Sequence, residues 1–244
     1  MPPLRDFFHR RKGRFSYLLA LMLLQLLLSP WAESSGPRGR IVGLFGAGAV
    51  LAALYAISES RKIWIAGLIL AVPTFLHRIT VFPDLRSFIS QAGLSSSIIF
   101  DIFITTIILE EILRHDDISG QTIYGALCAY LTAGYAFGHL YMLLERLRPD
   151  SFLLDPRLFH HPVATQPDLM YYSYVTLIAM GANGIAPAAP YVRVLSMLEG
   201  ILGVMYLTVL LSRLVGLHVS QRIMKESPAP ATMNFPVAHT KLPR

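Results

Sequence analysis

Residues 168–216 read DLMYYSYVTLIAMGANGIAPAAPYVRVLSMLEGILGVMYLTVLLSRLVG, and their order decides the fold. A short apolar run, 169–180, comes first. Pro167 suits the first turn of a helix, where its missing N–H costs nothing, and Asp168 suits that positive end. At about 12 residues the run rises only about 18 Å as a helix, too little to cross a hydrocarbon core about 30 Å thick. The helix is expected to end near Ala179 or Met180, because Gly181-Ala182-Asn183-Gly184 breaks it. Glycine enters left-handed conformations freely, and Asn does so better than most residues. Pro187 and Pro190 follow, and then a long apolar helix begins. Non-helical backbone at membrane depth is tolerated only inside protein or along a water-filled cavity. The segment therefore reads as a re-entrant half-helix, an irregular loop and a spanning helix.

The rest of the chain agrees. Its 244 residues are 54% hydrophobic and 15% charged, and mean hydropathy is +0.51. A soluble domain carries about 25% charge, so the composition points to a membrane protein and away from an ordinary soluble enzyme. A span needs about 20 apolar residues. Runs at 15–32, 41–57, 63–76, 94–113, 122–144 and 191–217 meet or approach that. The third is short and carries Pro73, which a buried membrane helix accommodates. The fold expected is an all-α membrane protein: six transmembrane helices, with a re-entrant pore helix and loop between helices 5 and 6. Arg10, Arg11, Lys12 and Arg14 before the first run, and Pro30 to Ser34 after it, give the outline of a signal peptide. The run is long for one, and Pro30 and Trp31 suit a cleavage site poorly, so a retained helix is expected. With the N-terminus inside, thirteen of the 21 Lys and Arg residues fall on the inner side, which places both termini in the cytoplasm. The net charge of +6 is thus read as topology and not as nucleic-acid binding. The chain divides into a cytoplasmic segment (1–14), a four-helix region (15–117), a pore-like region (118–217, its loop at 168–190) and a Pro-rich tail (218–244) expected to be disordered.

Here a family resemblance appears. Thr176-Leu177-Ile178-Ala179-Met180-Gly181-Ala182-Asn183-Gly184-Ile185-Ala186-Pro187 aligns without gaps with filters of the bacterial potassium-channel superfamily, which read approximately T-L-T-T-L-G-Y-G-D-I-T-P. Thr176, Leu177, Gly181, Ile185 and Pro187 match. Leu195-Ser196-Met197-Leu198-Glu199 and Ser212-Arg213-Leu214-Val215-Gly216 also resemble inner helices of that superfamily. The similarity covers about 50 residues, roughly a fifth of the chain. It implies a pore through Thr176, Ala179, Met180, Gly181, Ala182, Asn183 and Gly184, a homo-tetramer in a bacterial inner membrane, and monovalent cations as the transported species. Seven of the twelve positions differ, and four of those differences bear on the filter. Ala179 replaces a Thr hydroxyl, Ala182 a bracing Tyr, Asn183 a Gly and Gly184 an Asp. In such filters backbone carbonyls replace the ion's hydration shell, so the resemblance implies a weakly selective or non-selective cation channel. Flux of both ions, narrowing to potassium when the four residues are restored, would support that reading. The rival is a non-conducting channel scaffold used as an assembly or sensing partner.

Charges within the spans refine this. Helix 4 has no repeated Arg or Lys, whereas a voltage sensor stacks several, each worth about 2.3 kcal/mol per 100 mV. Asp101 is expected to pair with a cation or hydrogen-bond donor on a neighbouring helix, Glu110 and Glu111 to be solvated or paired with Arg114, and His139 to be a hydrogen-bonded packing residue. Glu199, about 13 Å into helix 6, either supports the pore loop through Asn183 or Tyr172 or pairs with Arg193. Gly200 and Gly203 read as a hinge or as a close helix contact. Gly200, Val204, Thr208 and Ser212 recur every four residues, so they share one face, the expected cavity wall. Cys128, the single cysteine, excludes an intramolecular disulfide and multi-cysteine metal sites. His160 and His161 read as surface residues. No catalytic group, metal ligand set or cofactor motif is found, so no enzyme is expected.

Overall fold

The computed structural model describes residues 14–29, 48, 52–53, 65–73, 86–114, 120–181 and 183–226. Those residues are mostly helical, in the order α1 (Arg14–Leu28), α2 (Arg86–Arg114), α3 (Gly120–Leu147), β1 (Phe152–Leu154), α4 (Gln166–Leu177), β2 (Ile185–Pro187) and α5 (Pro190–Glu226). Three of these helices are long and apolar enough to cross a membrane: Gln91–Leu113, Gly120–Leu147 and Pro190–Arg213. They correspond to the expected helices 4, 5 and 6. The shorter apolar helix Phe15–Leu28 corresponds to helix 1. The expected helices at 41–57 and 63–76 fall largely outside the described residues, although 65–73 are helical.

Helix α3 is the hub, packing against α1, α2, α4 and α5. Phe15, Leu18 and Met22 of α1 are buried together with Phe100, Ile104, Ile108 and Ile112 of α2 and Ala126, Cys128 and Ala129 of α3. Tyr135 donates to the Met22 carbonyl across this contact. Helix α1 is thus part of the core. Hydroxyls in α2 bond to carbonyls one turn back: Ser97 to Gly93, Thr105 to Asp101 and Thr106 to Ile102. An apolar solvent demands this internal satisfaction. Asp101 finds the neighbour that its burial calls for, since its Oδ2 lies 2.8 Å from His139 Nδ1 on α3. The Arg114 side chain lies outside the described residues, and with it the pairing expected of Glu110 and Glu111.

Helix α5 does not stop at 217. It continues to Glu226, because nothing between Leu217 and Glu226 breaks a helix and the first proline is Pro228. The remainder of the expected tail, 227–244, lies outside the described residues.

At the other end of α3, β1 and β2 form an antiparallel pair with Phe152 opposite Pro187 and Leu154 opposite Ile185. Glu145, buried at the end of α3, fixes β1. Its carboxylate accepts the backbone N–H groups of Asp150 at 3.1 Å and Phe152 at 3.2 Å. Glu145→Ala leaves both amides without an acceptor, each costing about 1–3 kcal/mol. A lower thermal midpoint in detergent is expected, with Glu145→Gln in between because only one of its terminal atoms still accepts.

Candidate functional site

Helix α4 starts as its sequence dictates. Asp168 accepts the Thr165 backbone N–H at 2.8 Å and the Thr165 hydroxyl at 2.6 Å, which closes the first turn. Its path is set by two glycines of α3. A Cβ at Gly134 would enter the Tyr174 ring, and one at Gly138 would meet the Met170 sulfur. Gly134 and Gly138 stand four apart, so α4 lies in a groove with no side chains in its floor. Tyr174 also donates to the Leu131 carbonyl at 2.8 Å. On the opposite side α4 meets α5. A Cβ at Gly203 would collide with the Leu177 carbonyl group, whose carbon lies 2.8 Å from that position. Tyr130 donates to the same carbonyl at 3.1 Å and stacks on Tyr206 of α5 at 5.5 Å. Gly203 is thirteen residues along α5 from Pro190, so the end of α4 lies about 20 Å down the span.

The helix ends at Leu177, two to three residues before the expected end. The cause is Ala179, which takes the left-handed conformation at φ 57°, with Gly181 at 77° and Gly184 at 82°. Met180 and Gly181 then turn their N–H groups back to the Val175 carbonyl, at 2.8 and 3.3 Å. Ala179, Met180, Gly181 and Asn183 are all exposed, and Ala182 lies outside the described residues. Gly184 returns the chain to the sheet, its carbonyl accepting the Asp155 N–H at 2.8 Å. Thr176 lies in the last turn of α4, half-buried, its carbonyl facing Gly200.

Glu199 is fully buried where α3, α4 and α5 meet. Its Oε2 lies 2.6 Å from the Tyr141 hydroxyl and its Oε1 2.5 Å from Ser173 Oγ. Glu199 thus holds α4 through Ser173, and not through the partners expected. Arg193 is turned away, donating to the Pro187 carbonyl at 3.0 Å. Tyr172 reaches Ser196 Oγ, at 2.7 Å. Support of the α4–loop unit therefore comes from residues that the sequence reading left out: Tyr141, Ser173, Ser196 and Tyr130. Tyr141, Phe152 and Tyr172 pack edge-to-face in a triangle, with centroids 5.1 to 5.5 Å apart.

The face of α5 proposed as a cavity wall is turned outward. Val204, Thr208 and Ser212 are exposed, and Gly200 is half-buried under the Thr176 carbonyl. The two hydroxyls bond to their own helix, Thr208 to Val204 and Ser212 to Thr208, each at 2.8 Å. Only 11% of the apolar window of α5 is buried, against 50% for α3. In the segment before α4, His161 is half-buried and lies 3.6 Å from Asp168. Among the described residues no group of three His, Cys, Asp or Glu side chains could hold a metal ion. Comparison with protein-family models, with curated proteins and with solved structures finds no match.

Proposed function

We propose that this chain is an ion-channel-like membrane protein, a weakly selective or non-selective cation channel resembling the potassium-channel superfamily. It assembles as a tetramer around residues 178–184, with Thr176, Ala179, Met180, Gly181, Ala182, Asn183 and Gly184 along the ion path. The observation that carries the reading is the exposed, non-helical segment that starts beside Gly203, about 20 Å down a spanning helix. Lipid cannot satisfy such backbone, so other copies or water must cover it. A ring of copies does both, and one copy supplies only one loop. The sparsely buried α5, with the small face of Val204, Thr208 and Ser212, is the surface that such a ring would bury or wet. Six spans, with α4 entering and leaving on the outer side, complete the architecture.

A second reading has its own support. The left-handed Ala179, and amides already spent on Val175, leave the start of the loop wound and not extended. A non-conducting scaffold used for assembly or sensing has no need of an extended filter. Flux separates the two. With purified full-length protein in liposomes, potassium and sodium are both expected to pass. Absence of flux for either ion, in protein that elutes as a tetramer, would leave the scaffold reading.

A further inference from the structure

The hydrogens around Glu199 can be counted. Ser173 Oγ lies 2.9 Å from the Gly134 carbonyl oxygen and 2.5 Å from Glu199 Oε1. A hydroxyl has one hydrogen, so Ser173 cannot donate to both. Tyr141 spends its hydrogen on Glu199 Oε2 at 2.6 Å, the shorter of its two contacts. Ser196 donates to the Val192 carbonyl at 2.8 Å and accepts from Tyr172 at 2.7 Å. One of the two Ser173 contacts is left without a hydrogen if Glu199 is ionised. It gains one if Glu199 is a neutral acid. The order is then Glu199 to Ser173 to the Gly134 carbonyl, and every short contact has its donor.

Charge gives the same answer. Glu199 is fully buried. Among the described residues no Lys, Arg or His forms an ion pair with it. The titratable groups that face it are Tyr130 and Tyr141 on α3 and Tyr172 and Tyr174 on α4, all neutral donors or acceptors. On α5 itself, Arg193 is held by the Pro187 carbonyl. A carboxylate in such a place, with two hydroxyls beside it and no cation, carries a desolvation cost that the hydroxyls offset only in part.

We infer that Glu199 holds a proton at neutral pH, and that this proton latches α4 between α3 and α5. When it leaves to water, the carboxylate takes the Ser173 hydrogen. The Gly134 carbonyl then loses its partner on α4, and an unpaired negative charge remains among the three helices. Ser173 lies one turn before Leu177, so the release acts on the helix that carries the loop. That last step rests on the channel reading; the protonation does not.

Infrared spectroscopy of the full-length protein in lipid tests it, beside Glu199→Gln. A neutral-acid carbonyl band is expected at neutral pH in the native protein, absent from the variant and fading as the pH is raised. Gln has an N–H to give Ser173 and an oxygen for Tyr141, so it reproduces the neutral acid. Its thermal midpoint is expected to equal the native one at neutral pH and to stay level where the native one falls. The sign follows from linkage: the folded chain binds a proton that the unfolded chain has lost, so stability drops as pH rises. Absence of the neutral-acid band at neutral pH overturns the inference. So does a Glu199→Gln protein that fails to fold or melts earlier than the native one, since an ionised Glu199 would be the acceptor that Gln replaces badly. Neither readout requires the protein to conduct, so a chain that passes no ions still tests the latch.

Discussion

Gly203→Ala is expected to dislodge the inner end of α4 and to be the most damaging single methyl in the described chain. The added Cβ would fall within 2.8 Å of the Leu177 carbonyl carbon and 3.1 Å of its Cα, and closer still to the carbonyl oxygen. These are backbone atoms, so no rotamer change relieves the contact; a helix must move. Overpacking costs about 1–3 kcal/mol and sometimes more, and displacement also breaks the Tyr130 bond to the same carbonyl. Alanine is the better helix former by about 1 kcal/mol, which offsets only part. Gly200→Ala is the control. Its Cβ would find the Thr176 oxygen at 3.5 Å, an ordinary contact, so the propensity gain stands nearly alone. Thermal unfolding of the three proteins in one detergent is expected to rank Gly200→Ala at or above native and Gly203→Ala below it by about 2–3 kcal/mol. Equal midpoints for Gly203→Ala and native would mean that α4 does not sit on α5 as described. The two glycines read alike in the sequence, as hinge or contact. The structure separates them: Gly203 is the contact.

The sequence carried the class of the protein and the order of its elements, because both depend on chemistry local to a segment. Apolar runs with few charges marked α2, α3 and α5, and Pro167 with Asp168 marked the start of α4. What it did not carry depends on residues far apart in the chain. Ser173 and Glu199 are 26 positions apart, and Tyr141 and Glu199 58, so the partners of Glu199 could not be read from spacing. A signal did exist for the α3–α4 contact: Gly134 and Gly138, four apart in an apolar helix, announce a close approach. It says that something lies against α3, not that Tyr174 and Met170 do. The end of α4 was misplaced for another reason. Composition pointed to residues 181–184 as the break, and Gly181 and Gly184 are indeed left-handed, but Ala179 is left-handed before them. Alanine has no propensity that announces it; the bonds of Met180 and Gly181 to Val175 impose it.

Installing the filter residues of the potassium-channel superfamily is expected to break this loop, not to complete it. The resemblance points to Ala179→Thr, Ala182→Tyr, Asn183→Gly and Gly184→Asp together. Ala179 sits at φ 57°, where a β-branched residue is a steric outlier, and the left-handed region costs an L-residue about 1–2 kcal/mol. Gly184 sits at φ 82°, and a Cβ there would lie 2.7 Å from Leu158 Cδ1 and 3.0 Å from Phe159 Cε2. Asp tolerates left-handed backbone better than Thr, but its carboxylate would be driven into those two apolar side chains, for about 1–3 kcal/mol. The two changes together remove about 2–5 kcal/mol from a fold whose whole stability is of the order of 5–15 kcal/mol. Ala179→Gly works in the opposite direction. It relieves the strain, and a gain approaching 1 kcal/mol is expected. Single and combined variants, compared by thermal unfolding and by potassium and sodium flux in liposomes, decide the matter. Ala179→Gly is expected to melt above native, Ala179→Thr and Gly184→Asp below it, and the combined variant lowest, with no gain in potassium preference. A combined variant that folds as well as native and passes potassium alone would show that residues 178–184 can take an extended, carbonyl-lined form, and that the wound start seen at Ala179 is one of two states of the loop.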